Sequence, residues 1–147
     1  MPRRLLLATA ACVLSVGLSL AAVAAEQPIE FHGALDGAHE VPGTQSEGSG
    51  RIDGTLDRQN KVFTYTVTYK GLSGPVTAAH FHGPADPGAN AGVVVPLQQP
   101  LTSPIKGKAT LNDQQMDELM SNKLYVNLHT QKNPNGEIRG QVLRGSG

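Results

Sequence analysis

Cysteine is almost absent from this chain of 147 residues. The one cysteine, Cys12, falls in an N-terminal stretch that reads as a signal. The remainder can form no disulfide, no thiolate nucleophile and no sulfur-ligated zinc or blue-copper centre. A packed core, not crosslinks, must therefore hold the fold. Tryptophan is missing and aromatic residues make up only 4%. No basic stripe exists either, so a nucleic-acid partner has no support. Beyond the first 25 residues no segment is long and apolar enough to span a bilayer. No serine sits in a nucleophile elbow, and nothing places two carboxylates together for hydrolysis.

The N-terminus is rich in what the rest lacks. Arg3 and Arg4 precede a mostly apolar stretch over 5–23, and Ala22-Val23-Ala24 and Val23-Ala24-Ala25 both fit a small-x-small cleavage pattern. The expectation is a cleaved signal peptide over 1–25 and a single β domain over 26–147, placed in the periplasm or secreted. Without Arg3 and Arg4, ten basic residues face twelve acidic ones, a nearly balanced surface.

From residue 26 on, the sequence reads as short strands punctuated by Gly, Pro and Asn. Residues 29–35 alternate, with Ile29, Phe31 and Leu35 on one side and Glu30, His32 and Ala34 on the other. Residues 48–56 form a Gly-rich strand carrying Ile52 and Leu56. Residues 62–69 give the clearest period of two, with Phe63, Tyr65, Val67 and Tyr69 inward. The turn 57–61 predicts a hairpin between these last two strands. Further strands are expected over 76–82, over 93–97 at an edge because of Pro96, over 106–111, 124–130 and 137–143. Asn112 predicts the cap of one helix reaching Met120, with Asp113 in its first turn. Asn133-Pro-Asn-Gly136 is a turn, and Gly145-Ser-Gly147 should fray. This spacing predicts an all-β fold, an immunoglobulin-like sandwich or a flattened Greek-key barrel with one short helix.

Histidine carries the chemistry. In a strand, His80-Phe81-His82 puts two imidazoles on one face and Phe81 on the other. In Leu124-Tyr-Val-Asn-Leu-His-Thr130, Leu124, Val126 and Leu128 alternate with Tyr125, Asn127 and His129. If both strands bury their apolar side, all three imidazoles leave the same wall. Adjacent strands lie about 4.8 Å apart, so neighbouring placement would let three nitrogens share one ion. Three ligands leave an open position, and nitrogen ligands without sulfur favour Cu²⁺, with zinc the alternative. Each ring should also donate its other N–H, and Asn127 is on the right face to help. His39, in the turn 37–42, is a candidate fourth ligand, and His32 lies on a polar face. The loop 83–92 is expected to fold over the histidine face. Glu137 and Arg139, two apart, are expected to pair as ions. Met116 and Met120 flank Leu119 as core.

Five segments together resemble the chordin-type (CHRD) domain family. They are Leu35-Asp-Gly-Ala-His-Glu-Val-Pro42, Gly71-Leu72-Ser73, Ala79-His-Phe-His-Gly-Pro-Ala85, Leu124-Tyr-Val-Asn-Leu-His-Thr130 and Asn133-Pro-Asn-Gly-Glu-Ile-Arg-Gly-Gln141. The resemblance implies an all-β domain found singly in exported bacterial proteins and as repeats in chordin, an animal growth-factor antagonist. A local likeness joins it: copper/zinc superoxide dismutase also uses a His-x-His strand and a distant histidine outside a barrel. That likeness implies His80, His82 and His129 as copper ligands. The disulfide cysteines and the histidines that bridge to and hold zinc in that family have no counterpart here.

The reading is an exported domain holding copper through His80, His82 and His129, for storage, transfer or redox use. If it is an enzyme, the reaction is copper-dependent redox chemistry such as superoxide dismutation. The alternative is a metal-free structural or interaction module of the cell envelope. Expected partners are the metal ion, an envelope or copper-handling protein, and a second copy of the chain.

Overall fold

The computed structural model describes residues 26–145. The signal expected over 1–25, together with Ser146 and Gly147, lies outside the described residues. Among the described residues, nine strands and one helix run in the order β1 (Ile29–Asp36), β2 (Ser49–Asp57), β3 (Val62–Lys70), β4 (Val76–His82), β5 (Val93–Pro96), β6 (Ile105–Thr110), α1 (Asp113–Met120), β7 (Tyr125–Thr130), β8 (Ile138–Gln141) and β9 (Leu143–Arg144). The hydrogen-bonded order is β5-β4-β7-β8-β1-β2-β3-β6, all antiparallel, with β9 pairing β1 beside this path. The result is a nearly closed eight-stranded antiparallel barrel with one short helix. Gln98, just past β5, draws the two edges together. Its N–H donates to Tyr65 Oη on β3, and its side-chain oxygen accepts from Lys108 N on β6.

Period-two patterning explains the core. Phe31 and Leu35 of β1, Ile52 and Leu56 of β2, and Phe63, Tyr65 and Val67 of β3 all point inward and are buried. Phe81 enters from β4 and meets the rings of Phe63 at 5.7 Å and Tyr65 at 5.0 Å, both edge-on. The helix starts where expected: Asn112 accepts from Gln115 N, and the Gln115 side chain accepts from Asn112 N. Leu119 is fully buried, and Met116 and Met120 pack against the core.

β7 departs from simple alternation. Leu124, Val126 and Leu128 face the core, yet Tyr125 and Asn127 on the outer face are also buried. The loop 83–92 roofs that face, as its composition suggested. Asn90 Nδ2 donates to Val41 O, and Ala91 N lies 3.3 Å from Tyr125 Oη. Lys123 of the α1–β7 link pairs with Asp86 of the loop.

Candidate metal centre

β4 and β7 are adjacent and antiparallel, with His80 opposite Asn127, His82 opposite Tyr125, and Ala78 opposite His129. His129 is thus the diagonal neighbour of His80, within reach of a long side chain. One nitrogen from each of His80, His82 and His129 lies within 4.8 Å of the others. His80 Nδ1 is 3.2 Å from His129 Nε2. Four ligands at about 2.05 Å around a tetrahedral ion stand about 3.3 Å apart. The His80–His129 pair already has that spacing, and the widest pair closes to it with a shift of about 1.5 Å or less in one ring.

Backbone carbonyls set two of the three rings. His82 Nδ1 lies 3.0 Å from Ala91 O, and His129 Nδ1 lies 2.9 Å from Pro134 O. A carbonyl oxygen only accepts, so each Nδ1 carries the proton and each Nε2 presents a lone pair to the cluster. His82 Nε2 is buried with no hydrogen-bond partner. An orphaned buried acceptor costs stability unless something fills its lone pair, and a cation would do so. Burial, then the neighbouring His129 and His82, lower the pKa of His80; burial also lowers that of His82. Both changes favour the neutral, ligating form. The residues present fit a metal ion.

Planar groups stack behind the cluster. The His82 ring lies 4.8 Å from Tyr125, nearly parallel at 3°, and Arg139 Cζ caps the other face of Tyr125 at 3.4 Å. Arg139 is anchored by Ala89 O at 2.7 Å and Asn90 Oδ1 at 3.1 Å, so it clamps the roof loop to the barrel.

His39 does not join the cluster. Its Nδ1 and its backbone N–H both face Asp36 Oδ1, at 2.7 and 3.0 Å, in an exposed turn. His32 is exposed on the outer face of β1, beside Arg51 and Asp53. The expected Glu137–Arg139 ion pair does not form, because each group is satisfied elsewhere. Arg139 turns to Tyr125 and the roof loop. The Glu137 carboxylate accepts from Ser46 Oγ, Ser73 N, Ser73 Oγ and Thr130 Oγ1, all within 2.7 Å. Burial pushes its pKa up, but these donors together outweigh that and hold it at about 2.

Glu40 escaped the sequence reading as part of the site. It is buried in the turn 37–42 and its Oε1 has no hydrogen-bond partner. Burial lifts its pKa to about 7, although the Arg139 charge and the Asn127 amide pull it part of the way back. Its place depends on Gly136: a Cβ there would stand 2.3 Å from Glu40 Oε1 and 2.8 Å from Asn127 Nδ2. The carboxylate and the amide nitrogen share the space over this glycine, whose φ of 127° also disfavours a side chain.

Among known proteins, a family described as the CHRD domain matches residues 31–142. That span holds all three cluster histidines, Glu40, Asn127, Glu137 and Arg139. No curated protein and no solved structure matches the chain significantly.

Proposed function

The chain belongs to the CHRD domain family, and from that premise and the convergence of three imidazoles we propose that it is an exported domain that binds copper through His80, His82 and His129. The observation that carries this reading is the convergence of one nitrogen from each of His80, His82 and His129 to within 4.8 Å, with backbone carbonyls at Nδ1 leaving the Nε2 lone pairs of His82 and His129 free. Copper is favoured over zinc because a nitrogen-rich site without sulfur follows the Irving–Williams order. Export is favoured by the signal pattern over 1–25. The role is holding or passing copper outside the cytoplasm, with copper redox chemistry as a further use.

The test is calorimetric titration of Cu²⁺ and Zn²⁺ into the untagged chain and into a variant with His80, His82 and His129 all changed to Ala. The expected result is one tight Cu²⁺ site, weaker Zn²⁺ binding, and loss of both in the variant. Equal, weak Cu²⁺ binding by the two proteins would overturn the reading. It would favour the metal-free interaction module, in which the histidines only tie loops to the sheet.

A further inference from the structure

Asn127 stands beside the histidines in a way that a purely structural amide would not. Its Oδ1 lies 3.0 Å from His129 Nε2. His129 Nδ1 faces Pro134 O, which can only accept, so the tautomer that ligates a metal carries its hydrogen there and offers a lone pair at Nε2. An amide oxygen is also only an acceptor. Two acceptors therefore meet at hydrogen-bonding distance with no hydrogen of their own between them. His80 Nδ1 approaches the same Nε2 at 3.2 Å. Both separations are near the ligand–ligand spacing of about 3.3 Å around a tetrahedral ion.

The other end of the amide explains its orientation. Asn127 is only 3% exposed, and its Nδ2 shares the space over Gly136 with the Glu40 carboxylate. An NH₂ belongs next to an acceptor, so the carbonyl is left facing the rings.

We infer that Asn127 Oδ1 is the fourth ligand, making the centre three imidazole nitrogens and one amide oxygen. This rests on the metal-binding reading above and refines it. A hard oxygen with three imidazoles and no sulfur suits Cu²⁺ or Zn²⁺ and disfavours Cu⁺, which takes soft sulfur ligands. The centre is therefore suited to a divalent ion and not to Cu⁺.

The experiment compares Cu²⁺ affinity of the untagged chain with that of Asn127→Ala and Asn127→Asp, and locates the ion in crystals of the Cu²⁺-loaded chain by anomalous scattering. Asn127→Ala should weaken binding by about 10- to 100-fold. Asn127→Asp should keep or exceed the original affinity, since it restores an oxygen at the same point. The crystal should place the ion about 2.0–2.2 Å from Oδ1. An ion more than about 3 Å from Oδ1, or Asn127→Asp as weak as Asn127→Ala, would overturn the assignment. The second result would mean that the NH₂ group, not the oxygen, serves the site. If the original chain binds no better than the triple histidine variant, the parent reading has failed instead.

Discussion

Glu40 carries a carboxyl into a space with too few donors, and the consequence is measurable. Its folded pKa of about 7 lies above the ordinary 4.5. The folded state therefore holds the proton more tightly than the unfolded chain. Full stability is present below about pH 4.5, and part is lost as pH rises through 7. Glu40→Gln removes the charge and keeps the shape. It should raise stability at pH 8 by up to about 3 kcal/mol and change little at pH 4. Urea unfolding at the two pH values checks this; equal effects at both would contradict the buried-carboxyl account. Gly136→Ala should act in the opposite sense. It forces a Cβ onto Glu40 and into a positive-φ backbone, so a loss of about 2 kcal/mol or more is expected from thermal unfolding. At this scale the sequence was partly legible. Alternation about Phe81 and Leu128 was enough to set three imidazoles on one face. The oxygens of Ala91 and Pro134 that fix the tautomers were not legible, because every residue carries the same carbonyl and only the fold aims it.

The β7–β8 hairpin shows how an element is held. Glu137, at its closing end, ties two connections and a strand end together: Ser46 between β1 and β2, Ser73 between β3 and β4, and Thr130 at the end of β7. The same hairpin supplies Pro134 O to His129. Its folded pKa of about 2 is below the ordinary 4.5, so here the sign is reversed. The contribution is complete above about pH 4.5 and is lost as pH falls toward 2. It amounts to about 3 kcal/mol. Glu137→Gln should remove much of the acid sensitivity in this window and cost about 2–3 kcal/mol at pH 7. Denaturant melts from pH 2 to 7 report both effects. An unchanged slope against pH would show that the tie is not ionic. For the helix, Asn112→Ala should cost about 1 kcal/mol through loss of the cap. Caps and turns were legible because Asn112 and Asn135-Gly136 act on their own backbone. The Glu137–Arg139 pairing was misread because spacing along a strand cannot report donors from distant loops.

At the scale of the whole molecule, the nine strands among the described residues place a hydrophobic interior inside and a half-buried imidazole cluster outside the same wall. The alternation of β1, β3 and β4 made an all-β barrel or sandwich legible. The near-closure was not, since it depends on hydrogen bonds between Gln98 and both Tyr65 and Lys108, which the period-two pattern does not report. The roof over β7 also arises only at this scale, from the loop 83–92, the turn 37–42 and Arg139 meeting. This assembly leaves His80 and His82 half-buried beside His129, where rings are held yet remain accessible to an ion. The most direct check is electron paramagnetic resonance of the untagged chain with one equivalent of Cu²⁺. A single species whose nitrogen couplings come from three imidazoles, and which vanishes when His80, His82 and His129 are all alanine, is the expected result. A spectrum unchanged by those substitutions would contradict a shared ion at this place on the barrel.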